Sequence, residues 1–137
     1  MSFVIQVHAD KSSGILKITF SGKVTAQDAE QWMSKTYELL DDMQPGFRLL
    51  ADSTTLESMD LGCAPFIGKV MDRCNEKGVR KVIRIIPNPR KDIGFSIMSL
   101  FHYDRNVRIL TVNNLAEAEE ALRKDSPGDK AVRASAE

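Results

Sequence analysis

The side chains with most chemical potential in this chain lie between Asp52 and Cys63. The run Asp52-Ser53-Thr54-Thr55-Leu56-Glu57-Ser58-Met59-Asp60 carries carboxylates and hydroxyls, and Leu61-Gly62-Cys63 follows it. A thiol at the start of a helix can be activated as a nucleophile, because the helix N-terminus favours the thiolate. Cys63 would then need a base, and only His8 and His102 are available. Sequence places neither beside it, and an inert buried cysteine is the simpler expectation. The aspartates have two readings. They are turn and cap residues, or they belong to a recognition loop between a strand end and a helix N-terminus, where ligands of open α/β sheets gather.

Other catalytic signatures are missing. The chain has no GxGxxG after its first strand, no GxxxxGK[ST] and no GxSxG. Its two cysteines and two histidines have no metal-ligand spacing. The expectation is a protein without catalytic residues, metal or cofactor.

The elements around this stretch follow from periodicity. Phe3, Ile5 and Val7 alternate with polar residues, as do Leu16, Ile18 and Phe20, and Asp10-Lys11-Ser12-Ser13-Gly14 between them predicts a hairpin. Gly22 breaks the second pattern. Thr25 to Asp28 has the form of a capping box, and Ala29, Trp32, Met33, Tyr37 and Leu40 follow at helical spacing. Phe47 to Ala51 reads as a short strand, and Asp52 to Asp60 as a loop. Pro65 suits the first turn of a second helix, with Ile67, Val70, Met71 and Cys74 as its buried stripe. Val79 to Ile86 is a β-branched strand ended by Pro87-Asn88-Pro89. A third helix is expected over Ile93, Phe95, Ile97, Met98, Leu100 and Phe101. Val107 to Val112 is the last strand, and Asn114 with Glu117 caps a final helix.

The order β-β-α-β-α-β-α-β-α predicts a single α/β domain over residues 1–124. Its five-stranded sheet is mostly parallel, with an antiparallel N-terminal strand and about four helices. Residues 125–137 are small and polar and read as a flexible tail. Arg48, Arg84 and Arg108 interrupt the strands, and Lys17 and Thr19 oppose the apolar set in theirs. Either one sheet face is partly open or these residues sit at strand ends, with the basic residues solvated or forming a recognition or dimer face.

Composition limits the partners. Nineteen Lys and Arg balance nineteen Asp and Glu, which argues against broad capture of nucleic acid. No apolar stretch is long enough to span a membrane. Cys63 and Cys74 would lie about 16 Å apart along one helix, too far to bond, which fits a reducing cytoplasm.

A strand ending in Asp52, a second aspartate eight positions on at Asp60, and the order of the elements beyond it resemble the STAS family of bacterial anti-sigma-factor antagonists. The resemblance covers roughly residues 3 to 124. It implies a non-enzymatic regulatory or scaffolding module whose protein partner would be an anti-sigma factor or related regulator, and a homodimer is a further option. The partner-binding loop would comprise Asp52, Ser53, Ser58, Asp60, Leu61, Gly62 and Cys63. Leu61 and Gly62 stand where the family carries two serines, the second of them phosphorylated, so the usual switch has no hydroxyl at Gly62. The chain is also similar to the SpoIIAA-like offshoot, which implies an alternative: a small apolar-ligand or membrane-surface protein. Phe95, Met98 and Phe101 on the third helix would supply its surface, or a dimer contact.

Overall fold

The computed structural model describes residues 4–87 and 102–124. β1 (Ile5–Asp10) and β2 (Ile15–Val24) form the expected hairpin. The Asp10 carboxylate organises its turn, accepting from the Ser12 hydroxyl at 2.7 Å and from the Ser12 and Ser13 amides at 3.1 and 3.3 Å. α1 (Ala26–Asp41) begins with the complete capping box: the Thr25 hydroxyl accepts from the Asp28 amide, and the Asp28 carboxylate accepts from the Thr25 amide. β3 (Arg48–Met59) leads through a 3-10 turn (Leu61–Cys63) into α2 (Ala64–Glu76). β4 (Lys81–Ile85), β5 (Arg108–Val112) and α3 (Leu115–Arg123) complete the described chain. The Asn114 side chain caps α3 by accepting from the Glu117 amide at 2.9 Å.

The strands lie in the order β1-β2-β3-β4-β5. β1 is antiparallel to β2 and every other pair is parallel, as expected. Among the described residues there are three α-helices. The helix expected over Ile93 to Phe101, with Phe95, Met98 and Phe101, lies outside them, as does the tail from residue 125.

Register decides what each sheet face does. Leu16, Leu49, Val82 and Ile109 form one row across β2 to β5. They belong to the main core, with Phe20, Trp32, Leu40, Ile67, Val70 and Cys74 from the same layer. Phe20 meets Trp32 edge to face, with ring centroids 5.7 Å apart, an arrangement aromatic quadrupoles favour. The next row is Lys17, Leu50, Ile83 and Leu110. Among the described residues α3 packs here: Leu50, Ile83, Ile85 and Ala118 make a second, smaller core. The β1–β2 half of this face stays open. His8 pairs with Lys17 and Gln6 with Thr19, and His8 and Gln6 are exposed.

Arg48 and Arg108 stand at strand ends, half-buried at the start of β3 and β5, while Arg84 within β4 is buried. Arg48, Lys81 and Arg108 share one row of the register, under the C-terminal end of α3. Arg48 Nη1 donates to the Leu122 carbonyl at 3.3 Å, and Lys81 Nζ donates to the Ala121 carbonyl at 3.2 Å. The last carbonyls of a helix lack backbone donors and carry partial negative charge, so cations there are stabilising. Arg84 points to the other face and donates from Nη2 to Thr111 Oγ1 at 3.0 Å.

The stretch read as a loop is a strand. β3 runs on to Met59 alongside β2, pairing Ser21 with Thr55, Gly22 with Leu56 and Val24 with Met59. Two register shifts interrupt this ladder, one after Thr19–Asp52 and one after Gly22–Leu56. Each puts an extra residue on β3, as a β-bulge does. Buried positions therefore recur at Ser53, Leu56 and Met59, every third residue instead of every second. β2 likewise continues past Gly22, whose φ of 65° lies in the left-handed region that glycine reaches at low cost.

Candidate recognition site

β3, the 3-10 turn and α2 distribute the residues of interest along a line. Eight residues at about 3.3 Å of rise span roughly 26 Å, and the two bulges shorten that path only in part, so Asp52 and Asp60 stand well apart. The two aspartates are not one site, and they have different roles. Asp52 accepts from the amide of Thr54 at 2.9 Å and from its hydroxyl, so its carboxylate braces β3 where the first bulge begins. Asp60 precedes the 3-10 turn but makes no side-chain cap bond, and its residue is exposed.

Burial sorts the remaining candidates. Ser53 is 4% exposed and faces the core. Cys63 is fully buried, its Sγ lying 3.7 Å from the Val24 carbonyl. Burial pushes the Cys63 thiol up, and the Asp60 charge pushes it further. This is the reverse of activation, so the helix N-terminus does not make Cys63 a nucleophile. Cys74 is buried as well, and burial pushes its thiol up to about 12. Both cysteines are free. His102 is not near Cys63 in the bonding network: its Nδ1 lies 2.6 Å from an Asp72 carboxylate oxygen on α2. Among the described residues no group of His, Cys, Asp and Glu is arranged to hold a metal ion.

Ser58, Asp60, Leu61 and Gly62 remain on the surface. Leu61 is 85% exposed, the extreme among large apolar residues described. The turn that presents it is fixed on both sides. The Asp60 amide donates to the Val24 carbonyl and the Cys63 amide to the Asp60 carbonyl, each at 3.0 Å. Gly62 fits closely against α1, since a Cβ built on it would lie 3.1 Å from the Ala26 methyl. The turn is thus a rigid support for one apolar side chain beside one carboxylate.

Sequence reasoning assigned Trp32 only to a buried stripe. The structure adds a cavity of about 50 Å³ between the first sheet face and helices α1 and α2. Trp32 lines it with Phe20, Leu49, Ala51, Ile67 and Met71, and Ser53, Arg84 and Tyr103 line it toward the C-terminal ends of β3 and β4. No sequence pattern signals such a gap, which depends on how side chains from five elements fit.

Neither a family model nor a curated protein matches this sequence. Solved structures do match in shape. An uncharacterised protein with a SpoIIAA-like fold from Shewanella loihica superposes with a TM-score of 0.63 at 19% identity, over 86% of this chain and 91% of its own. The anti-sigma factor antagonist SpoIIAA in its unphosphorylated form gives 0.63 at 15% identity, over 88% and 99%. An anti-sigma factor antagonist from Mycobacterium paratuberculosis gives 0.58 at 14%, over 90% and 98%. Strand order, the antiparallel first strand and these superpositions agree: the chain has the SpoIIAA-like fold of the anti-sigma factor antagonists.

Proposed function

We propose that this chain is a non-enzymatic regulatory module that binds a protein partner through the Asp60–Leu61–Gly62 turn and the start of α2. The observation that carries this reading is Leu61, 85% exposed on a turn tied to β2 by the bond from the Asp60 amide to the Val24 carbonyl. A fixed apolar residue placed before a partner loses little entropy on binding. The fold points the same way, because relatives in shape are described as anti-sigma factor antagonists. A partner of that regulatory class is the first to test.

The site is narrower than the sequence suggested. Ser53 and Cys63 are buried and the Asp52 carboxylate is engaged by Thr54 within β3, so recognition rests on Asp60, Leu61 and Gly62, with Ser58 beside them. Leu61-Gly62-Cys63 offers no hydroxyl, so the turn itself does not take a phosphate. The sequence alternative, an apolar-ligand or membrane surface on Phe95, Met98 and Phe101, lies outside the described residues.

Quantitative affinity capture from native lysate tests the reading. The expected result is a protein held by the wild-type chain and reduced at least tenfold by Leu61→Asp, but not by Lys17→Glu on the open sheet face. Finding no protein whose capture depends on Leu61 would overturn it.

A further inference from the structure

We infer that the outer edge of β1 is a self-association site, where a second copy of this chain adds its own β1 antiparallel, with Val7 of both copies on the two-fold axis. The pairing joins two five-stranded sheets into one. It does not rest on the partner reading, which concerns the turn after β3.

Backbone geometry carries the inference. β1 ends the strand order, with β2 on one side and no strand on the other among the described residues. The Ser21 amide donates to the Val4 carbonyl at 2.7 Å. The register continues from there, with Ile5 opposite Phe20 and Gln6 opposite Thr19. Hydrogen-bonded and non-bonded pairs alternate along an antiparallel ladder, so Val4, Gln6 and His8 turn their backbone groups toward β2. Ile5, Val7 and Ala9 turn theirs away from it. The edge therefore offers the N–H and C=O groups of three residues, spaced evenly about Val7.

Proteins usually blunt such an edge with proline, lysine or a bulge. β1 contains neither residue, and its ladder with β2 has no register shift. Ile5, Val7 and Ala9 pack against the main core yet stay only half-buried. Apolar area and backbone groups are thus both left for a neighbour.

The edge is its own complement. Centring the axis on Val7 opposes Val7 to its copy and Ile5 to Ala9 of the second copy. Three donors from each copy then find acceptors, six bonds in all. On the apolar face a large Ile5 meets a small Ala9 twice; on the other face His8 meets Gln6 twice. No like charges are opposed. Centring the axis on His8 instead keeps four bonds and sets His8 against itself, a pairing that is unfavourable when the ring is protonated. The Val7 register is therefore the one selected.

A single strand pair makes a small interface, below about 1,200 Å², of the transient class. Analytical ultracentrifugation of the full chain should accordingly show a dimer that dissociates on dilution. Val7→Pro removes an outward N–H and no bond to β2. It should weaken dimerisation at least tenfold while the dilute chain unfolds at nearly the wild-type urea midpoint. Hydrogen exchange on the wild-type chain reads the edge directly. The amides of Ile5, Val7 and Ala9 should slow as concentration rises, and those of Gln6 and His8, already bonded to β2, should hardly change. Crosslinking reads the register. Val7→Cys should form an intermolecular disulfide, since opposed Cα atoms at about 5.5 Å lie within bonding range. Ile5→Cys should not, because its counterpart stands four residues along the ladder. A chain that is monomeric at all concentrations, a dimer indifferent to Val7→Pro, or equal crosslinking of the two cysteine variants would overturn the inference. Leu61→Asp should leave every one of these readouts unchanged, so the two readings fail separately.

Discussion

The sheet face under α1 and α2 is closed by carbon: Leu16, Phe20, Leu49, Ile67, Val70 and Val82 interlock there. The face under α3 is closed by much less. Four fully buried residues, Leu50, Ile83, Ile85 and Ala118, form its centre, and cations from β3 and β4 hold the end of the helix. The difference shows two ways of seating a helix on a sheet. A long amphipathic helix is seated by apolar area, at about 25 cal/mol per Å² buried. A nine-residue helix is too short to be stable alone, and here charged side chains from the sheet donate to carbonyls of its last turn.

Three measurements would sharpen or break that contrast. The largest effect is expected from Leu56→Ala. Leu56 is fully buried in the first face and sits in the bulged part of β3. Removing it should cost about 2–5 kcal/mol in denaturant unfolding. A loss below about 1 kcal/mol would mean that residues 53–59 do behave as a loop. Next comes Lys81→Ala, which removes a donor from the Ala121 carbonyl and should cost about 1–3 kcal/mol. Hydrogen exchange should show faster opening confined to α3, whereas Leu56→Ala raises exchange across α1, α2 and the sheet. If Lys81→Ala loosens both faces alike, the two cores are one cooperative unit.

The smallest effect concerns pH. Cys74 on the first face has a thiol raised from 9.0 to about 12 by burial. The folded chain keeps the proton that the unfolded chain releases. Stability is therefore full below pH 9 and falls as pH rises toward 12, by about 1.4 kcal/mol at pH 10. Cys74→Ala should flatten this alkaline limb in a series of urea titrations. An unchanged limb would show that the thiol is not the group responsible.

Local chemistry was readable in the chain where it stays local. The Asp10 turn, the Thr25–Asp28 box, Pro65 at the start of α2 and the Asn114 cap all act within a few residues. Alternation also marked the first half of β2, and a short apolar run marked that of β3. It failed where two bulges shift the burial period from two to three, so Ser53, Leu56 and Met59 read as scattered apolar and polar residues. The role of Arg48 and Lys81 was hidden for another reason. Their acceptors lie 74 and 40 residues away, and only strand register brings them under α3. In the recognition site the residue types were visible but not their exposure. Polarity ranked Ser53 with Ser58, yet one faces the core and the other solvent.

The fit of Gly62 against the Ala26 methyl has a consequence for how this protein could change over generations. A hydroxyl-bearing side chain at position 62 brings a Cβ with it, and at 3.1 Å that atom needs α1 to give way by a few tenths of an ångström. Gly62→Ser is therefore a poor first step, and Ala26→Gly a permissive one that makes it tolerable. The order of the two substitutions matters, so the route to a modifiable turn is contingent on a residue in a different element, at the start of α1.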